Sequence, residues 1–361
     1  MTDYAVYQGT RPVAEAHRFD AAALERFMAR EVPGFAGPLQ VEQFRGGQSN
    51  PTFLLRTPAR NYVMRRKPPG KLLPSAHAVD REYRVIRALG RADFPVPRAY
   101  ALCTDEAVIG AMFYVMEHVE GRVLWDPTLP GLEPPERGAI FDEMNRVIAA
   151  LHRVDYAAIG LADYGKPGNY FARQIDRWGK QYRASELEKI DAMDALIAWL
   201  PGNIPASDTT TIVHGDYRMD NMIFDARAPR VLAVLDWELS TLGHPMADFA
   251  YHAMAWRLSA REFRGLRGHD LAALGIPSEA EYLDRYLRRT GFPRPTAKDW
   301  SFYLAFNMFR AAAIFQGVMA RAVAGNAASA QAVETGKRAR PTAEFAWSLV
   351  EAQMRHPTKE G

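Results

Sequence analysis

Short apolar runs that end in acids constrain this chain more than any other feature. The stretch Val213–Asp225, "VHGDYRMDNMIFD", places His214, Asp216, Arg218, Asp220 and Asn221 within eight consecutive positions, directly after the β-branched run "TTTIV". A second apolar run, "VLAVLDWE", follows within a few residues and carries Asp236 at its end. Strands this apolar read as buried, and carboxylates at buried strand ends are costly unless a cation meets them. A turn followed by a hairpin of "NMIFD" against "VLAVLD" brings Asp216, Asn221 and Asp236 to one edge. Carboxylate and amide oxygens are hard ligands suited to Mg²⁺, which keeps waters and takes its remaining ligands from phosphates. A further carboxylate there can orient or deprotonate a hydroxyl. Asp and Asn are also common turn residues, and Asp220 is read as a turn residue with no chemical role.

The rest of the chain sets the frame. A length of 361 residues exceeds one simple core and implies two lobes. With 45 basic against 42 acidic residues, the net charge of +3 gives no general affinity for nucleic acid. Cys103 is the only cysteine, which excludes an intramolecular disulfide and a Cys-rich zinc site and fits a reducing cytoplasm. The N-terminus has no apolar signal-like core. The most apolar long segment, Phe302–Ala324, is interrupted by Arg310, Gln316 and Arg321, so it reads as a buried helix and not a membrane span.

Periodicity divides the chain in two. Residues 19–32 read as a helix with Phe19, Ala23, Leu24, Phe27 and Met28 on one face. Strands follow at 39–44, 52–57 and 61–66, joined by a Gly-Gly turn and by "PAR". A helix capped by Ser75 and closed by Gly90 comes next, then two strand-like runs, "RAYALCTD" and "AMFYVMEHV". From Pro130 onward helices dominate, at 134–153, 168–183, 185–200, 245–258, 278–290, 297–324 and 339–354. The expected plan is α+β: an N-terminal lobe over 1–116 built on a small antiparallel sheet with one helix, and a helical lobe over 117–361 carrying the acidic hairpin.

"HGDYRMDN" followed by "VLDWE" resembles the catalytic and metal motifs of the aminoglycoside phosphotransferase-like, or choline-kinase-like, branch of the protein-kinase fold. The protein-kinase form is H-R-D-x-x-x-x-N followed by D-F-G. Gly215 here replaces the Arg, as is typical of small-molecule kinases. The resemblance implies ATP and Mg²⁺ as co-substrate and metal, Asp216 as catalytic base, Asn221 and Asp236 as metal ligands, and His214 as a buried brace of the loop. It also sets Arg218 where protein kinases often have a Lys touching the transferred phosphate; a solvated turn residue is the other reading.

The same resemblance assigns the nucleotide cradle. "GGxSN" recurs in the family between the first two strands, which makes Gly46, Gly47, Gln48, Ser49 and Asn50 candidate phosphate contacts; a plain hairpin turn explains the glycines equally well. Tyr62-Val63-Met64-Arg65 matches V-A-I-K with Arg in place of Lys, so Arg65 and Glu82 would form the ion pair that positions the α- and β-phosphates. Lys67 is the alternative, placed past the strand by the following "PPG". "FYVMEHVEG" resembles the passage to the hinge, with Met116 as gatekeeper and the backbone of Glu117 and Val119 facing adenine. Asp248, in "TLGHPMADFAYHAMAW", is expected to anchor the catalytic loop.

"GGQSNPT", "PPGKLLPSAHAVDREYRV", "VIGAMFYVMEHVEGR" and "RQIDRWGKQYRAS" are most similar to the kinase-like domains fused to, or encoded near, acyl-CoA dehydrogenases. That likeness implies a small-molecule acceptor hydroxyl on an acyl-CoA or other carboxylic metabolite. An aminoglycoside calls for an acidic patch, whereas the late helices offer arginines. Trp178, Tyr182, Glu238, Trp256 and Arg310 are the acceptor-side candidates; Arg310, inside an apolar run, needs an anionic partner from protein or ligand. Two other readings stay open: a kinase of amino alcohols or aminoglycosides, and a pseudokinase that binds nucleotide or acyl-CoA without turnover. Neither a nucleic acid, a membrane nor an obligatory protein partner is expected.

Overall fold

A computed structural model describes residues 9–45, 50–68, 77–259, 261–325 and 332–355. Its strands are β1 (Thr10–Arg11), β2 (Gln40–Phe44), β3 (Thr52–Arg56), β4 (Asn61–Arg66), β5 (Ala99–Cys103), β6 (Phe113–Glu117), β7 (Thr211–Val213), β8 (Met222–Phe224), β9 (Val231–Val234) and β10 (Thr241–Gly243). The chain divides into two compact units. One comprises Met1–Trp125 with Asn221–Glu238, the other Asp126–Asp220 with Leu239–Gly361.

The first unit is a six-stranded antiparallel sheet in the order β1-β2-β3-β4-β6-β5. Side chains alternate across a strand, and that alternation sorts its residues. Phe53 and Leu55, Tyr62 and Met64, Phe113 and Val115 face one way and enclose a core with Leu24, Phe27 and Met28 of the Ala21–Glu31 helix. This helix starts at Asp20, whose carboxylate accepts the Ala22 and Ala23 N–H groups. Arg65 is out of phase with Met64, so it emerges on the opposite face, across from Thr52 and Tyr114. The Val79–Gly90 helix lies on that side and packs on β5 and β6. Its N-cap is Ala78, with no side-chain cap; the expected cap, Ser75, lies outside the described residues.

The acidic hairpin β8–β9 belongs to this first unit, which moves it out of the helical lobe where the sequence reading put it. Hydrogen bonds explain the assignment: Val234 N–H donates to Pro95 O at 2.8 Å, and Arg122 and Phe224 exchange backbone bonds of 2.8 and 2.9 Å. Trp237 adds an edge contact to Phe94. Gly121 is required at the crossing, because a Cβ there would meet Phe224 O at 2.3 Å. The first unit therefore reaches Trp125, beyond the expected boundary at 116.

The second unit is helical. Its longest helix, Ala297–Val323, is buried on nearly every side from Phe302 to Gly317, as an all-round apolar helix must be. The Tyr170–Ala184, Pro245–Ala253 and Ala339–Arg355 helices pack on it. Among the described residues no helix is long and apolar enough to cross a membrane. The two-stranded pair β7–β10 aligns Val213 with Thr241 and so fixes where His214 begins the loop. Phe249 stacks on Tyr286 with ring centroids 4.0 Å apart, beside Tyr282.

Two histidines in this core give it a pH signature. Burial holds the imidazoles of His244 and His252 down at about 4. Unfolded, each takes up a proton near its ordinary value of about 6.5, so stability is present at neutral pH and falls as pH drops from about 6.5 toward 4. Urea unfolding of the wild-type chain should show this loss between about pH 7.5 and pH 5, and His252→Gln should flatten it. An identical pH dependence in the variant would remove His252 from the account.

Candidate active site

In the first unit several candidate side chains gather around one guanidinium. Arg65 leaves β4 with its side chain 9% exposed and places Nε 3.3 Å from Glu82 Oε2, Nη1 3.0 Å from Asp236 Oδ1 and Nη2 3.8 Å from Glu238 Oε2. Burial opposes its charge, but the carboxylates of Glu82 and Asp236 outweigh that and hold the guanidinium firmly protonated. The expected pair between β4 and the following helix is thus made with Arg in the Lys position. Lys67 lies past the end of β4. Glu82 is fixed by two further donors, Asn50 Nδ2 at 2.8 Å and Tyr114 Oη at 3.1 Å.

The hairpin carries the two candidate metal ligands, Asn221 and Asp236. Leu235 N–H donates to Asn221 O at 2.8 Å, one step beyond the Met222–Val234 pair, so the Asn221 backbone stands beside the residue preceding Asp236. Asp236 adopts φ +64°, a left-handed conformation that costs an L-residue about 1–2 kcal/mol and is tolerated best by Asp and Asn. Such strain gathers at functional sites. The Asp236 side chain is 36% exposed and can meet a ligand. One amide and one carboxylate at a hairpin end fit a divalent cation that takes its other ligands from water and phosphate. Among the described residues no cluster of three His, Cys, Asp or Glu side chains is arranged to hold a metal by itself.

The remaining nucleotide candidates are placed as follows. Gly46, Gly47, Gln48 and Ser49 lie outside the described residues. Asn50 is fully buried, with its amide on Glu82 and its Oδ1 3.0 Å from His77 Nδ1, so it steadies Glu82. Met116 is buried at the end of β6. The Glu117 N–H donates to Arg98 O and its carboxylate accepts the Arg98 N–H, while Val119 is half-buried beyond the strand.

In the second unit the loop after β7 is held from the Pro245–Ala253 helix. The Asp248 carboxylate, almost wholly buried, accepts His214 N–H at 2.7 Å and Gly215 N–H at 2.8 Å, and lies 3.3 Å from His152 Nε2. Burial pushes this carboxyl up, but the bonds to His152 and the loop outweigh it and hold it below the usual carboxylate range. His214 is buried and its Nδ1 accepts the Asp216 N–H at 3.1 Å. Gly215 has φ +84°, and a Cβ there would lie 2.7 Å from Leu239 O, so both conformation and space demand glycine.

Asp216 itself is part of an ion chain. Arg218 Nε lies 2.9 Å from Asp216 Oδ1 and its Nη2 3.1 Å from Oδ2. Arg218 also approaches Asp220 Oδ2 at 3.6 Å, and Asp220 is bonded to Arg264. Arg218 is therefore a clamp on Asp216, three-quarters buried, and not a solvated turn residue. Asp220 has a structural task, orienting Arg218. Arg310 is buried; it donates to the Gly215 carbonyl and lies over the rings of Tyr251, at 5.0 Å, and Trp178, at 5.8 Å. Trp178 and Tyr182 share one buried face of the Tyr170–Ala184 helix. Trp256 instead belongs to the aromatic core: its indole N–H donates to Pro277 O and its ring packs on Tyr282 at 4.6 Å. Tyr251, which bonds Asp216, had no role in the sequence reading, and Arg264, there only one of the late-helix arginines, holds Asp220; spacing could have found Tyr251, which is one helical turn after Asp248.

A family model described as the phosphotransferase enzyme family matches residues 40–301. The chain belongs to that family. A solved structure of a putative aminoglycoside phosphotransferase from Ralstonia eutropha JMP134 is 62% identical, with a TM-score of 0.84, covering 93% of this chain and 99% of that one. Choline kinase from Cryptosporidium parvum shares the fold at 12% identity and a TM-score of 0.64, covering 94% of this chain and 97% of that one. The expected kinase-like α+β fold is borne out. Among curated proteins, mouse acyl-CoA dehydrogenase family member 10 is 46% identical over 355 residues, 98% of this chain and 32% of that protein. The probable acyl-CoA dehydrogenase IBR3 of Arabidopsis thaliana is 46% identical over 368 residues, 96% of this chain and 44% of that protein. The chain thus spans less than half the length of these curated relatives.

Arg65 offers a direct test within the first unit. Replacing one partner of a buried ion pair strands the other and costs about 3–5 kcal/mol. Arg65→Met should lower stability by about that amount in denaturant unfolding, and Arg65→Lys by less. Equal stability of Arg65→Met and wild type would show that Glu82 does not need this cation.

Proposed function

We propose that this chain is an ATP- and Mg²⁺-dependent kinase that moves the γ-phosphoryl group to a hydroxyl of a small carboxylic acceptor, a hydroxyacyl-CoA or hydroxy acid. The observation that carries the kinase reading is the Asp216 loop: glycine-dependent at Gly215, pinned by Asp248, and followed in sequence by the Asn221 and Asp236 pair. In this reading Asn221 and Asp236 hold Mg²⁺, which would neutralise phosphate charge. Arg65, fixed by Glu82, balances the charge of the α- and β-phosphates. Asp216 orients the acceptor hydroxyl and takes its proton as the oxygen–phosphorus bond forms and ADP departs. Such catalysis is positioning and electrostatics, with little covalent work for the protein.

Two observations support a carboxylic acceptor. The curated relatives carry the name acyl-CoA dehydrogenase and extend well beyond the region matched here. Among the described residues Arg310 bonds a carbonyl and lies over two aromatic faces, an arrangement that suits an anionic ligand for its charge. Trp178 would then form part of an apolar wall. The name of the Ralstonia relative favours the second reading, an aminoglycoside or amino alcohol as acceptor. The chain is taken to act in the cytoplasm on a free small molecule, with no nucleic acid, membrane or obligatory protein partner.

The test is an acceptor panel of hydroxyacyl-CoAs, hydroxy acids, amino alcohols and aminoglycosides with ATP and Mg²⁺, with phosphate addition followed by mass. Transfer to hydroxyacyl-CoA or hydroxy acid is expected, reduced about 10²–10⁴-fold in Asp216→Asn. Transfer undiminished in that variant would sink the assigned base. Transfer only to aminoglycosides or amino alcohols would replace the acceptor, and nucleotide binding with no turnover would favour a non-catalytic module.

A further inference from the structure

Asp216 has a contact that the proposed reaction does not use. Tyr251 Oη donates to Asp216 Oδ1 at 2.5 Å, at the short end of charge-assisted O–H···O⁻ bonds. Tyr251 is 7% exposed and stands on the Pro245–Ala253 helix, three residues after Asp248. Positions three apart share a helix face, so the face that holds the loop backbone through Asp248 also holds the side chain of Asp216. Burial, followed by the Asp216 charge, pushes the Tyr251 phenol far up, and Oη remains a donor at any working pH. Arg310 fixes the tyrosine in turn: its guanidinium lies over the ring at 5.0 Å while bonding the carbonyl of Gly215, the residue before Asp216.

We propose that Tyr251 is the positioning residue of Asp216 and that Arg310 locks Tyr251 in place. The donors to Asp216 come from two different elements. Arg218 grips both carboxylate oxygens, but it sits two residues along the same loop and is also drawn toward Asp220. A rotation of the Asp216 side chain can carry Arg218 with it. Tyr251 comes from a different element, a helix packed on the buried Ala297–Val323 helix. It ties the carboxylate to the scaffold, and catalytic groups held this way lose rate when the tie is cut. This role rests on Asp216 being the base, but the bond itself can be tested without that reading.

The experiment pairs a spectroscopic readout with a kinetic one. In proton NMR, the wild-type chain should show a far-downfield hydroxyl resonance from the Tyr251–Asp216 bond, absent in Tyr251→Phe and in Asp216→Asn. MgATP hydrolysis, with water as acceptor, should fall about tenfold in kcat in Tyr251→Phe, the loss of one hydrogen bond to a charged group, with KM for ATP unchanged. Arg310→Lys should give a smaller kcat loss and a shifted resonance. Wild-type lacking the resonance would overturn the proposal even if Tyr251→Phe failed to fold. Unchanged kcat in Tyr251→Phe, or kcat and KM changing together with a lowered melting temperature, would also overturn it. Absence of both ATP hydrolysis and phosphate transfer to any acceptor of the panel in the wild type, with the resonance present, would sink the kinase reading and leave the Tyr251–Asp216 bond standing.

Discussion

The buried carboxylate of Asp248 is the interaction on which the loop carrying Asp216 depends. It spends its oxygens on the consecutive N–H groups of His214 and Gly215, with His152 beside it. A buried carboxylate is expensive unless its lone pairs are met, and here two of the donors that meet it belong to the loop. The loop can follow this path because residue 215 is glycine; a side chain would strike the Leu239 carbonyl. From that anchor the rest follows. His214 accepts the Asp216 N–H, Arg218 clamps the Asp216 carboxylate, and Asp220 with Arg264 steadies Arg218.

The first unit solves a related problem with the opposite charge. Arg65 is a buried cation, and the sheet alternation that sends Met64 into the core sends Arg65 toward Glu82. A lysine there would offer a single point of charge, whereas a guanidinium can serve several acids along its edges. Arg65 reaches Glu82, Asp236 and Glu238 together. The Arg-for-Lys exchange therefore keeps the ion pair with Glu82. The hairpin that carries Asn221 and Asp236 belongs to this same unit through Pro95, Arg122 and Phe94.

Much of this was legible in the sequence, because it rests on local periodicity and short motifs. The strands at 61–66 and the helices at 134–153 and 297–323 follow from apolar spacing alone. Asp216, Asn221 and Asp236 stood out because carboxylates and an amide at the ends of apolar runs are rare without a reason. The affiliation of the hairpin did not show, since it depends on backbone bonds to residues about a hundred positions away. Trp256 looked like a pocket wall for the same reason: its indole partner, the Pro277 carbonyl, is a backbone atom that no side-chain pattern announces. Tyr251 was hidden in plain view, on the face of a helix already marked by Asp248.

The central claim is that Asn221 and Asp236, with Arg65 behind them, form the metal and phosphate end of a kinase site. A crystal structure of the chain with Mg²⁺ and a non-hydrolysable ATP analogue tests it most directly. The account predicts a metal ion bound by the side-chain oxygens of Asn221 and Asp236, and Arg65 on the α- or β-phosphate while still paired with Glu82. A nucleotide bound away from these residues, or a metal held by other side chains, would contradict it.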